Sequence, residues 1–180
     1  MYMSHSKFAK NEGKKAKTGA QKSKLFTKAV KLIMQEARLA NGNRDAYGLK
    51  RAIEKAKEVE MPLDNIERAI KKATEEKNNL ENITYEAYGP GGVQLVIEAL
   101  TENRNKAAQE VRHILSSHGC ALATPGSVTW TFEKKGTEWI PTQTMEISDQ
   151  ATYDGLEKLL ESFEDNDEVQ EVFTNIQEEK

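Results

Sequence analysis

The 180-residue sequence predicts an α+β fold in two domains, with a boundary near residue 77. Three observations predict it. Apolar residues recur at helical spacing in three segments before that point. Beyond it, short β-branched and aromatic runs alternate with two further helical patterns. Charge divides at the same place: residues 1–77 hold 19 Lys/Arg against 10 Asp/Glu, and residues 78–180 hold 7 against 19. The formal charge of −3 therefore hides a basic half and an acidic half.

Residues 1–20 offer little apolar surface to offset the entropy of ordering, so a loose basic arm is expected there. A first helix is expected from about Gln21, with Phe26, Ala29, Val30, Ile33, Met34, Ala37 and Ala40 on one face. Asn41-Gly42-Asn43 ends it, with the glycine suited to a left-handed cap. A second helix is expected from Asp45 to Glu58, with Leu49, Ile53 and Ala56 inward. Met61-Pro62 breaks the pattern, and a third helix carries Ile66, Ala69, Ile70 and Ala73 towards Lys77. Ile83–Tyr88 reads as a strand, Gly89-Pro90-Gly91-Gly92 as a turn and Val93–Leu100 as a strand. Asn103–His118 is helical. Ser127–Phe132 alternates, with Val128, Trp130 and Phe132 on one side. Trp139–Ile147 is a further strand, Ser148 caps a helix from Asp149 to Phe163, and Glu168–Asn175 closes the chain as a strand. From residue 93 this order is the split βαβ, ferredoxin-like βαββαβ arrangement, one sheet with two helices on one face, extended at an edge by Ile83–Tyr88. The expected domains are thus 1–77, a basic arm and small three-helix domain, and 78–180, an acidic ferredoxin-like domain.

Composition narrows the function classes. Charged residues are 31% of the chain and hydrophobic ones 37%, so thin cores and wide solvated helix faces are expected. No apolar run is long enough to span a bilayer. The N-terminus has no apolar signal region, and it is Lys-rich where a transit peptide is Arg-rich and amphipathic. The single Cys120 permits no internal disulfide. A cytoplasmic location fits these features.

The chemistry concentrates in the arm. Residues 1–31 hold Lys7, Lys10, Lys14, Lys15, Lys17, Lys22, Lys24, Lys28 and Lys31 against one glutamate. Each lysine can neutralise a phosphate and release a counterion. Lys24, Lys28 and Lys31 fall at spacings of four and three, which predicts a basic stripe on the first helix. A mixed Lys/Glu run would read as a solvated face, but here acids are nearly absent. Nucleic acid is therefore the expected partner. Arg104 and Lys106, with Arg112, add candidate phosphate contacts on the later helix, although pairing with Glu102 or Glu110 explains them as well. The Gly89–Gly92 turn lacks the ending of a P-loop. His5, His113, His118 and Cys120 lack metal-ligand spacing. A His118–Cys120 nucleophilic pair would need special geometry, and a buried thiol is the plainer reading. No enzyme, cofactor, metal, membrane or small-molecule substrate is expected. A different class stays open, a protein-interaction module whose arm binds an acidic protein partner.

Several blocks carry a resemblance. They are His5-Ser6-Lys7-Phe8-Ala9, Lys24-Leu25-Phe26-Thr27-Lys28, Met61-Pro62-Leu63-Asp64-Asn65-Ile66-Glu67-Arg68-Ala69-Ile70, Tyr85-Glu86-Ala87-Tyr88-Gly89-Pro90-Gly91-Gly92, Thr101-Glu102-Asn103-Arg104-Asn105, Pro125-Gly126-Ser127-Val128, Phe132-Glu133-Lys134-Lys135-Gly136 and Glu168-Val169-Gln170. In this order they resemble the YebC/PmpR family. The resemblance implies a helical domain followed by α/β domains. It also implies non-enzymatic control of gene expression, either as a DNA-binding transcriptional regulator or as an RNA- and ribosome-associated translation factor. Three departures stand out. The family's usual inserted α/β domain after Phe132–Gly136 is missing, so a bare hairpin is expected there. Glu60 stands where the family often has Asn, in a loop the resemblance brings near RNA, which also makes Met61 a candidate contact. Gly19 replaces an Asp, making the arm more positive.

Overall fold

The computed structural model describes residues 18–77 and 79–177. The described chain divides into two units, one built from residues 82–99 and 104–177, the other from residues 18–81 together with Leu100–Asn103. The fold is α+β.

The helical unit holds α1 (Gly19–Leu39), α2 (Tyr47–Glu58) and α3 (Leu63–Glu75). Thr18 starts α1 with a reciprocal capping box: its hydroxyl accepts from the Gln21 N–H, and the Gln21 side chain accepts from the Thr18 N–H. Asn41 and Gly42 both take positive φ, and the Gly42 N–H reaches back to the Ala37 carbonyl at 2.8 Å. This six-to-one bond satisfies a carbonyl that the helix end would orphan. The end of α2 uses the same device without a glycine. Glu60 sits at φ 60°, and the Met61 N–H bonds the Ala56 carbonyl at 3.0 Å. Ile33, Ala37, Leu49, Ala52, Ala56, Ile66, Ala69, Ile70 and Ala73 fill the core, joined by Met61, Leu80 and Leu100. So many alanines let the helices pack closely while burying little area each.

The second unit is a four-stranded sheet in the order β3-β1-β2-β6, with a separate two-stranded hairpin. Its strands are β1 (Glu81–Tyr88), β2 (Gln94–Thr101), β3 (Ala121–Leu122), β4 (Phe132–Lys135), β5 (Glu138–Pro141) and β6 (Val169–Thr174); its helices are α4 (Arg104–Ser117) and α5 (Gln150–Glu164). Alternate residues of β2 serve opposite faces. Leu95 and Ile97 join Val111 and Leu115 of α4 and Leu156, Leu159 and Phe163 of α5. Val96 joins Phe173, Val128 and Phe132, with Trp139 of the hairpin packed against them. Two helices thus cover one face and the β4–β5 hairpin the other.

β2 pairs antiparallel with β6, with a bulge between Glu98 and Ala99. Three details differ from expectation. The segment 81–88, expected at an edge, lies inside the sheet between β3 and β2. The alternating segment 127–132 does not enter the main sheet: Thr129–Thr131 is a 3-10 turn, and the strand begins only at Phe132. Its backbone N–H groups are already taken. The Glu86 carboxylate, 8% exposed, accepts from Gly126 at 2.6 Å, Val128 at 2.8 Å and Thr129 at 2.7 Å. Donors held this way cannot join a ladder. Consequently Val128 and Phe132 are buried as expected, but Trp130 is 70% exposed. The strand expected over 139–147 stops at Pro141, leaving one parallel bridge between Met145 and Ile176. Asp149, not Ser148, caps α5, accepting from the Thr152 N–H at 2.8 Å.

Candidate nucleic-acid interface

The first turn of α1 contains no acidic residue. The positive end of its dipole is therefore followed by Lys22 and Lys24, with no carboxylate of the first turn to offset it. That placement costs helix stability and leaves a concentrated positive field for an anion. Lys22 is exposed, with Glu60 Oε2 3.6 Å from its Nζ. Lys24 and Lys31 are half-buried, and Lys28 is 7% exposed. The stripe of Lys24, Lys28 and Lys31 is therefore not an open face along its whole length. Lys7, Lys10, Lys14, Lys15 and Lys17 lie outside the described residues.

The remaining candidates lie outside this helix in the sequence. Met61 is 5% exposed and belongs to the helical core, where it closes the α2 cap. Lys106 lies 2.9 Å from Glu168 Oε1 and 3.7 Å from Glu110 Oε1. Glu168 is 4% exposed, so its charge needs a partner. The hydrogen bond to Glu168, then its charge, hold the Lys106 ammonium above the usual lysine range. Lys106 is thus paired with Glu168, which the sequence did not suggest, and more distantly with Glu110, which it did. Arg104 is exposed. Burial pushes the Tyr85 hydroxyl up, while the charges of Arg104 and Arg112 pull it down.

His118 and Cys120 do not form a reactive pair. The His118 Nδ1–H donates to the Ile114 carbonyl at 2.9 Å, and Nε2 lies 3.3 Å from Ser162 Oγ, whose hydroxyl donates to the Lys158 carbonyl at 3.0 Å. Cys120 Sγ faces the His118 carbonyl, not its ring, and burial pushes the thiol up. Among the described residues, no group of three or more His, Cys, Asp or Glu side chains is arranged to hold a metal ion, and no helix is long and apolar enough to cross a membrane.

The profile of the TACO1/YebC protein N-terminal domain matches residues 6–76, and that of the TACO1/YebC second and third domain matches residues 80–137 and 136–176. The chain belongs to the TACO1/YebC family. One relative, named "Probable transcriptional regulatory protein", from Pseudothermotoga lettingae, is 42% identical over 174 residues, covering 95% of this chain and 69% of its own. Another of that name, from Fervidobacterium nodosum, is 45% identical over 168 residues, covering 92% of this chain and 67% of its own. A crystal structure of a conserved hypothetical protein from Aquifex aeolicus superposes with a TM-score of 0.80 at 31% identity, covering 94% of this chain and 96% of that one. The two matched stretches of the TACO1/YebC second and third domain meet at the β4–β5 turn. An alignment to a Sulfurihydrogenibium relative spans 235 positions, more than this chain's 180, so that relative carries residues without a counterpart here. Gly136, at φ 62°, closes the short turn in this TACO1/YebC chain.

Proposed function

We propose that this chain is a nucleic-acid-binding regulator of gene expression that docks on phosphates through residues 5–31. The carrying observation is the concentration of nine lysines against one glutamate in residues 1–31, running onto a helix whose first turn holds no acid. Family membership supports the reading, since the curated relatives are named for transcriptional regulation. The mechanism is electrostatic. Lysines displace condensed counterions, and the N-terminal dipole of α1 adds to their field. Sequence discrimination is not part of this step, because phosphate contacts carry no base information. The protein would act in the cytoplasm on DNA, or on RNA and the ribosome, as a regulator and not as a catalyst.

The test is affinity against salt for the full chain with duplex DNA and with structured RNA. Several phosphate contacts predict a loss of about 10³–10⁵ in affinity between roughly 50 and 200 mM salt. Affinity that ignores salt for both polymers would sink the reading, and tight binding to an acidic protein alone would replace it. Crosslinking in cells followed by sequencing separates the branches: ribosomal RNA indicates translation, and promoter DNA transcription.

A further inference from the structure

Two aromatic side chains far apart in sequence, Tyr88 at the end of β1 and Trp130 in the 3-10 turn, meet at one atom. The Trp130 Nε1–H donates to the Ser127 carbonyl at 2.8 Å, and the Tyr88 hydroxyl donates to the same oxygen at 3.3 Å. The polar ends of the two rings are therefore held close together. Trp130 is 70% exposed and Tyr88 43%. Their polar ends are satisfied within the chain, so what they show to solvent is ring surface.

The platform is rigid. Ser127 is tied to Thr124 by both its N–H, at 3.0 Å, and its hydroxyl, at 2.6 Å. Glu86 pins the N–H groups of Gly126, Val128 and Thr129 on either side of it. A carbonyl held this firmly presents both rings in one geometry before any partner arrives, which removes part of the ordering cost of binding. The electrostatic setting also differs from the rest of the acidic half. Residues 119–132 contain no Asp, Glu, Lys or Arg, in a half holding 19 acids. The Glu86 charge is buried and turned inward onto its three N–H partners. A polyanion approaching this loop meets no exposed carboxylate on it.

We infer that Tyr88 and Trp130 form a stacking platform for an unpaired nucleobase, so that the polynucleotide bound by this chain is single-stranded at the point of contact. Two exposed, uncharged rings whose N–H and O–H donors are bonded within the chain take any base by stacking and offer no donor to read its edge. A base within a duplex is already stacked and cannot reach it. The inference rests on the proposed nucleic-acid function and adds the strandedness of the target.

The test uses the full chain with a fluorescent polyuridine of about 15 nucleotides and an RNA duplex of the same length, at constant salt. Trp130→Ala is expected to weaken polyuridine binding about 10- to 100-fold while leaving the duplex affinity and the salt slope unchanged. Trp130→Phe keeps a ring, loses the Nε1 donor, and should restore most of the affinity. A 5-iodouridine version should crosslink to Trp130 or Tyr88. Polyuridine affinity unchanged in Trp130→Ala, with no crosslink at either residue, overturns the platform. If salt-dependent binding persists in that case, the phosphate-docking function stands without it. If the wild-type chain binds neither polymer, both readings fall. Loss of binding to a proline-rich peptide in Trp130→Ala, with polyuridine affinity unchanged, would reassign the rings to protein recognition.

Discussion

Glu86 shows how one side chain can decide the path of the loop that follows β3. Its carboxylate is buried, and burial by itself raises a carboxyl pKa. The three N–H bonds from Gly126, Thr129 and Val128 outweigh that effect and hold it below the ordinary value of 4.5. A depressed folded-state pKa contributes stability that is fully present above the unfolded value and lost as pH falls through the folded one. The wild type should therefore lose stability below about pH 4.5 more steeply than Glu86→Ala does. At neutral pH, Glu86→Ala leaves buried N–H groups without partners and is expected to cost about 3 kcal/mol in urea unfolding. The same variant should release the Trp130 turn, so tryptophan emission should change in the folded baseline. Equal stability of the two proteins at neutral pH would show that the clamp contributes nothing. The motif Tyr85–Gly92 was legible in the sequence, but a glutamate within a strand gives no sign that it binds a loop some 40 residues on. That partnership exists only once β1 and β3 are neighbours.

At the scale of the element, helix ends carry the informative choices. Gly42 after α1 was readable, because a glycine after a periodic run signals a left-handed cap. The matching position after α2 is Glu60, where a left-handed backbone costs a non-glycine residue about 1 kcal/mol. Asn tolerates this conformation, which gives the Asn expected from the family resemblance a backbone reason. Glu60→Asn should stabilise the protein by roughly 0.5–1 kcal/mol, a rise in Tm of a few degrees. It also removes the acid near Lys22 and should tighten binding to phosphate polymers at low salt. A lower Tm for Glu60→Asn would mean that the exposed Lys22 ion pair outweighs the backbone term, against the usual small worth of such pairs. Thr18→Ala, which breaks the α1 capping box, should destabilise by about 1 kcal/mol and can be read from the same melts. The strand expected over 127–132 failed at this scale. Val-Thr-Trp-Thr-Phe has β propensity and alternation, but propensity cannot see that the amide donors of Val128 and Thr129 belong to Glu86.

At the scale of the whole molecule, charge is divided between the two halves of the chain, and association with a polyanion should follow that division. Removing residues 1–17 deletes Lys7, Lys10, Lys14, Lys15 and Lys17. If each contacts one phosphate, the slope of log affinity against log salt should become shallower by about 4. An unchanged slope would place the phosphate contacts elsewhere in the chain. The bare β4–β5 hairpin, at the junction of the two family-domain matches, leaves this chain without residues that a longer relative carries. More of its affinity is then expected to come from the basic segment.

By itself, the sequence determined the α+β class, the helical segments, the family and the charge asymmetry. All of these are written in local periodicity, composition or motif order, which need no knowledge of distant neighbours. The tertiary structure decided the place of β1 within the sheet, the 3-10 turn at Thr129–Thr131, the burial of Lys28 and Met61, the pairing of Lys106 with Glu168, and the meeting of Tyr88 with Trp130. Each depends on hydrogen bonds or burial between residues brought together by folding, and a buried donor or charge takes whichever partner that folding supplies.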